Sequence, residues 1–583
     1  AAGINPAGAL LLDKDEIKTH QFNGNASFEA RFLKHFKATA NVGLQYYGQA
    51  ENELTNPYYG DSAGKGRIVK TQVNYLNFTA NQILSWTQSF GRNNFDAFVA
   101  HESTNSTTNV SYGAKSKMVR PDNTEWSNAV IMDYMESYTY GYAIESYFGQ
   151  LRYDWDNKYF IHGTLRADGS SRFAKGHKWG TFGSIGAAWA ITNEEFMKDI
   201  KWLKNLKYKL SWGVLGNQDF ITSPVVAGYY PYEDLYQINN LNDNYTFSFV
   251  YKGNPDLTWE RSSTINTGIE FDIAGILEGE VEYFHKKTTD MLFMKQVAPS
   301  LGYGSIDENV GALKNTGIEM VLNGTIINQN GWVWKLGMNL THYKNKVTDL
   351  PLKDMPRSGV NKLQVGRSVY DFYMIEWAGV DPENGDPLWY MDEKDANKNP
   401  TGRRVTTNDY SSADYYYVNK SSLPKVYGGF NTSLSWKGFD LSAIFAYSIG
   451  GYIYNRDITM ILHNGSLEGR DWSTEILKRW TPDNRNTDVP ALSTTTNNWN
   501  SASTRFLQNN SYMRLKNLTL SYNLPKQWIS KLSLSSVQVY VQGDNLFTIH
   551  RNQGLDPEQG ITGITYYRYP AMRTISGGIN VSF

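Results

Sequence analysis

Few residues in this chain stand where catalysis or cofactor binding would need them. Gly64-Lys65-Gly66-Arg67 offers a glycine and a lysine but lacks the upstream glycine of a phosphate-cradling loop. Phe182-Gly183-Ser184-Ile185-Gly186 fails the nucleophile-elbow pattern at its first position. The nine His form no H-x-x-x-H zinc pair, and single histidines such as His162 and His342 read as wall residues. Cys is absent, so thiolate ligands, thiol nucleophiles and disulfides are excluded. Asp395, Asn397 and Asn399 alternate as in a calcium loop, yet Pro400 replaces the required glycine and Thr406 the closing glutamate. Calcium in the long loops is the one cofactor this pattern brings up. A polar turn is the simpler reading, as it is for Asp381–Asp386. An enzyme is not expected.

Solute binding is the chemistry that remains. Arg166 and Asp168 share one strand face and Arg172 lies just beyond. They are candidates for solute contact, with a mutual ion pair bracing the wall as the equal alternative. Tyr229, Tyr230, Tyr416, Tyr417 and Trp480 fall in long connections, together with Tyr232, Tyr236, Tyr415, Trp472 and Trp499. Aromatic faces stack on sugar rings or peptide side chains while polar edges hydrogen-bond. The alternative is that these rings pack loop on loop, or against a covering partner.

What positions such residues is a single recurring pattern. Apolar and polar residues alternate over Phe22–Phe32, Phe36–Tyr46, Tyr147–Trp155, Tyr159–Ala167, Leu206–Val214, Trp332–Leu340, Phe439–Tyr447 and the terminal Ile575–Phe583. Side chains of a strand alternate between faces, so each segment has one apolar and one polar side. The apolar sides carry no charge, as hydrocarbon demands: a Lys or Arg facing lipid at mid-depth costs about 2–4 kcal/mol. Tyr512–Tyr522 changes phase near Lys516, which predicts a bulge. Connections after Phe32, Trp155, Ile326 and Trp436 are short. Those near 215–264, 343–427 and 448–511 are long. Trp155, Tyr159, Trp332, Trp334, Trp436 and Phe439 crowd the short-turn end, while Trp179 and Trp212 mark the other. Two aromatic girdles, lopsided connections and charge-free faces describe an all-β transmembrane antiparallel β-barrel. About 17 strands are countable, and the first and last point the same way, so an even-numbered barrel must find further strands elsewhere. Asn193–Asn205 places Phe196, Ile200 and Leu203 on one helical face, predicting a short amphipathic helix. The near-neutral charge of -1 gives no pull toward nucleic acid.

Arg166–Trp189, Leu210–Gln218, Asn254–Glu260, Lys314–Met320, Ala378–Tyr390, Gly428–Asn455, Ser511–Pro525 and Tyr569–Phe583 resemble, in order, the C-terminal portion of SusC/RagA-type TonB-dependent transporters of Bacteroidota. The resemblance implies a 22-strand barrel of which residues 1–583 are the C-terminal part. The plug domain and first strands, about five of them, would lie outside this chain. It implies a TonB complex acting through that plug, a SusD-like surface lipoprotein over the mouth, and a Gram-negative outer membrane. The function so implied is active import of an oligomeric glycan or peptide. A passive porin or export barrel is the alternative within membranes, and a soluble β-rich glycan-binding protein the alternative outside them.

Overall fold

The computed structural model describes residues 6–220, 225–352, 355–465, 467, 471–493, 499–530 and 534–583. Among these, 17 strands form one antiparallel sheet. Its first eight are β1 (Lys14–Phe32), β2 (Phe36–Thr55), β3 (Arg67–Phe90), β4 (Asn93–Met118), β5 (Ala129–Trp155), β6 (Tyr159–Ser170), β7 (Trp179–Ala190) and β8 (Leu203–Asn217). The others run Glu260–Ile273, Leu277–Thr289, Ala312–Gln329, Trp332–Asp349, Val426–Trp436, Phe439–Ile449, Tyr512–Asn523, Ser536–His550 and Thr574–Ser582. The chain divides into two compact units, the first holding Ala1–Ala188, Ser211–Thr264 and Thr288–Gly311 and the second the rest.

The short turns close because their residues accept the left-handed region. Leu33 and Lys34, Asp156 and Asn157, Asn330 and Gly331, and Lys437 and Gly438 all have positive φ. Two successive positive φ values match the right-handed twist of the flanking strands, and they close the two-residue turns at Asn330-Gly331 and Lys437-Gly438 and begin the three-residue turns at Leu33–His35 and Asp156–Lys158. The bulge expected near Lys516 is present: Leu515 and Asn517 face successive partners while Lys516 is skipped.

In the first unit the apolar parity lies open. Val99, Leu151 and Leu165 are exposed, and so are Phe28 and Tyr147. In the second unit Leu210 and Ile269 remain 45% and 41% exposed. A sandwich would bury these residues between two sheets. Here their face has no covering layer among the described residues. At the short-turn end of the second unit the Trp332 and Trp436 rings stack at 4.8 Å and 14°.

The predicted helix at Asn193–Asn205 is not formed. Two 3-10 turns, Ile191–Asn193 and Glu195–Met197, take its first half, and Leu203 already belongs to β8. The stretch is too short for a helix to hold without strong packing. Phe196 is 66% exposed, and β8 claims the backbone groups a helix would need. Strands also outrun the expected bilayer length: β3, β4 and β5 contain 24, 26 and 27 residues.

Each unit carries its own buried core. In the first, Phe173, Phe182, Leu257 and Trp259 pack together, and the Trp259 indole donates to the Lys178 carbonyl at 2.9 Å. In the second, Phe372, Met374, Ile375, Trp389, Trp499 and Phe506 form a larger cluster built from the long loops.

Candidate functional site

The polar face of the first unit holds two arginine centres. Arg166, on β6, is anchored by its neighbours across the sheet. Its Nε donates to Asp168 Oδ1 at 2.5 Å, and its Nη2 to Ser146 Oγ at 2.9 Å and Glu102 Oε1 at 3.2 Å. The Phe148 ring lies 4.5 Å from its Cζ. Register explains the convergence: Glu102 pairs with Ser146, and Ser146 with Asp168, so three adjacent strands deliver acceptors to one spot. The ion pair anticipated beside the solute-contact reading is therefore made, and it ties β4, β5 and β6 together.

Arg172 follows β6 and is 7% exposed. Its Nη1 donates to Asp219 Oδ1 at 2.8 Å. The guanidinium sits 4.6 Å from the rings of both Tyr142 and Tyr229. Cation–π contacts strengthen as the cation is desolvated, to about 2 kcal/mol, so this clamp fixes the loop that carries Tyr229. Arg172 Nε has no hydrogen-bond partner among the described residues. Burial raises the Tyr229 hydroxyl above the ordinary phenol range. Tyr230 follows in the same turn, half-buried, its N–H donating to the Ala227 carbonyl.

From Tyr229 a column of rings continues along the polar face. Tyr140 lies 4.4 Å from Tyr229, Tyr138 stacks on Tyr140 at 6.0 Å, and Tyr112 meets Tyr138 at 6.2 Å and Tyr134 at 5.7 Å. Tyr112 donates to Glu136 Oε2 at 2.5 Å, which with burial pushes its hydroxyl up to about 12. These rings were not among the residues the sequence singled out. Their signal is nonetheless present in Tyr134-Met-Glu-Ser-Tyr138-Thr-Tyr140-Gly-Tyr142, where tyrosine recurs at strand period on one side.

The remaining candidates lie in the second unit, each tied to its own loops. Tyr416 donates to Asp392 Oδ1 at 2.9 Å and carries the Arg404 guanidinium 3.7 Å above its ring. Burial, followed by that hydrogen bond, raises its hydroxyl far above the usual range. Tyr417 donates to the Lys362 carbonyl at 3.0 Å, with Arg367 4.6 Å from the ring. Trp480 donates to the Pro382 carbonyl at 3.1 Å and covers Gly385 so closely that a β-carbon there would come within 2.6 Å of the ring. Trp499 is fully buried. The Asp381–Asp386 segment is thus a turn under a tryptophan. Asp395 likewise closes a turn, accepting from the Asn397 and Asn399 N–H groups at 2.8 and 2.9 Å. These bonds hold its carboxyl below the ordinary carboxylate value. Among the described residues no group of three or more His, Asp or Glu is placed to hold a metal.

One loop element of the first unit is open on a greasy side. The hairpin Leu235–Leu241 and Asn244–Tyr251 pairs Ile238 with Phe247 and Tyr236 with Phe249. These four, with Tyr245, share one face, and all are exposed.

The family profile described as "TonB dependent receptor-like, beta-barrel" matches residues 3–546. The TonB-dependent receptor SusC of Bacteroides thetaiotaomicron is 28% identical over 99% of this chain and 57% of its own length. The TonB-dependent receptor P3 of Formosa agariphila is 28% identical over 99% of this chain and 60% of its own. The RagAB peptide transporter superposes with a TM-score of 0.89 at 28% identity, covering 99% of this chain and 63% of that one. The RagAB peptide importer in its open-open state gives 0.88. The chain therefore spans about three-fifths of the length of the relatives it matches.

Proposed function

The chain belongs to the TonB-dependent receptor-like β-barrel family, is of the SusC/RagA type and stands in the outer membrane of a Gram-negative bacterium, and from that premise we propose that it forms the wall and mouth of an active importer of oligomeric nutrients. The observation that carries the reading is the structural agreement with the RagAB peptide transporter, in which 99% of this chain and 63% of that one are matched. On this reading residues 1–583 are the C-terminal part of the barrel. A plug domain and the remaining strands complete it, and a TonB complex acts through the plug. An odd set of strands with like-directed ends supports this division, since neighbours in a closed antiparallel barrel must alternate.

The solute is an oligomer of sugars or amino acids, met first by the ring-lined polar face around Arg172, Tyr229 and Tyr230. Arg166 and Asp168 line the wall nearby. Tyr416, Tyr417 and Trp480, in the loops of the second unit, are proposed as solute contacts of that unit by itself. A surface lipoprotein of the SusD type covers the mouth. The exposed hairpin face of Tyr236, Ile238, Tyr245, Phe247 and Phe249 suits such a partner, because a contiguous apolar patch on a loop marks a docking surface.

Uptake of labelled oligosaccharides and oligopeptides by cells with and without the protein tests the reading. Accumulation that stops when the proton gradient is collapsed supports active import. Accumulation that persists would identify a passive porin instead.

A further inference from the structure

The lipid-facing surface of the first unit is not uniformly apolar. Register sets its rows: Ala30, Ala38, Leu84 and Val99 align in one, and Phe28, Ala40, Gln82, His101 and Tyr147 in the next. The three alanines form the floor of a hollow of about 690 Å³ between Phe28 and the Leu84–Val99 side. Where a barrel should present bulk to hydrocarbon, it presents a trough.

At the long-loop end of that trough sits a polar island. His101 Nε2 lies 2.5 Å from Glu145 Oε1, and His101 Nδ1 lies 2.7 Å from Gln82 Oε1. Tyr147 donates to the same Glu145 oxygen at 3.3 Å. The Glu145 and His101 side chains remain 42% and 33% exposed, so this network has not consumed the carboxylate. All four share the outward parity with Val99 and Leu151. The height is telling. His101 lies roughly 25 Å above the short turn at Gly91, allowing ~3.3 Å per residue and a tilt near 40°. That is the level of Trp179, whose ring packs on Tyr147 at 6.1 Å. The island therefore stands at the outer headgroup boundary, with the trough running down from it into the bilayer.

We propose that this trough and island form a lipid site that holds one outer-leaflet lipid, its acyl chain over Ala30, Ala38 and Ala40 and an ammonium-bearing headgroup at Glu145, Gln82 and His101. A carboxylate and an amide oxygen present acceptors to the membrane, which favours a headgroup that donates and disfavours one that is only anionic. The hollow falls within the range of about 300–1,000 Å³ typical of small-molecule sites. The inference rests on the barrel standing in the outer membrane and not on what it transports.

The test uses the full-length protein, reconstituted with phosphatidylethanolamine or with phosphatidylglycerol, extracted in mild detergent and weighed by native mass spectrometry. Wild type should keep one phosphatidylethanolamine under conditions that strip phosphatidylglycerol. Glu145→Gln should reduce that preference about tenfold, the effect of one lost charge-assisted hydrogen bond. Ala40→Phe, which fills the floor, should abolish retention of either lipid. Unchanged gel mobility before and after boiling, relative to wild type, certifies assembly of each variant. His101→Gln serves should one variant fail to assemble. Equal retention of both lipids, no retained lipid in wild type, or an undiminished preference in Glu145→Gln would overturn the proposal.

Discussion

The Arg172 guanidinium lies 4.6 Å from the ring of Tyr229, across a chain separation that places one at the end of a wall strand and the other in a long loop. The contact is how a loop is held against the polar face. Arg172→Met removes the cation and its ion pair with the already exposed Asp219, and releases Tyr229. It should cost about 1–2 kcal/mol of local stability, as expected for a desolvated cation–π pair with an ion pair. Limited proteolysis should then cut within 225–234 at a several-fold higher rate. Solute affinity should weaken if the ring column contributes to binding. Arg172→Lys should recover only part of the effect, because an ammonium cannot offer the same planar face to two rings.

Lipid-facing and bore-facing positions of one strand should respond oppositely to the same change. Leu165→Arg places a cation on the apolar face and should cost about 2–4 kcal/mol in assembly. Thr164→Arg, one residue away on the polar face, should be tolerated. The fraction of protein showing boiling-dependent gel mobility separates the two.

The second unit is pinned at its loops by Arg514, whose side chain is 4% exposed and pairs with Asp556 at 2.5 Å as well as with Glu558. Arg514→Met leaves the buried Asp556 carboxylate without its cation, while Glu558 keeps Lys516 at 2.9 Å. Loss of one member of a buried pair costs about 3–5 kcal/mol, which should appear as a lower unfolding temperature in detergent.

Acid should loosen the same contact. Burial raises the Asp556 carboxyl, but N–H donors from Ala571 and Glu558, with Arg514, outweigh it and hold the group below its ordinary value. A depressed folded value contributes stability that is complete above the unfolded value, about 3.9. That stability is lost as pH falls through the folded value. Protection of the Ala571 and Glu558 amides against hydrogen exchange, taken relative to the intrinsic rate at each pH, should therefore fall below about pH 4 and be flat from pH 5 to 8.

The hairpin face of Ile238 and Phe247 should be dispensable for the barrel and, on the proposed pairing, needed for docking a surface lipoprotein. Ile238→Asp with Phe247→Asp should leave expression and boiling-dependent mobility intact while co-purification of the lipoprotein drops at least tenfold, the scale of losing central apolar anchors. Undiminished co-purification would place the partner elsewhere.

How much of this could be read beforehand depends on the range of the interactions involved. Strands over Phe36–Tyr46 or Tyr159–Ala167 are legible because the bilayer and the bore each impose a period of two on consecutive residues. The turns at Asp156-Asn157 and Lys437-Gly438 are legible for the same local reason. Asn193–Asn205 misled because spacing alone does not say which hydrogen-bond ladder wins, and Leu203 joined the sheet. Trp480 and Pro382 meet across 98 positions, and Arg172 and Asp219 across 47. No periodicity encodes such meetings. The tyrosines from Tyr134 to Tyr142 keep the strand period but lie past the hydrocarbon, where alternation of apolar with polar no longer marks them.

β5 does not stop at the outer ring of aromatics near Tyr147 but continues back to Ala129, with β4 paired alongside it nearly throughout. At ~3.3 Å per residue and a tilt near 40°, that palisade rises roughly 45 Å clear of the lipid. Anything approaching from outside would therefore touch ordered, hydrogen-bonded strand well before it reached the lipid.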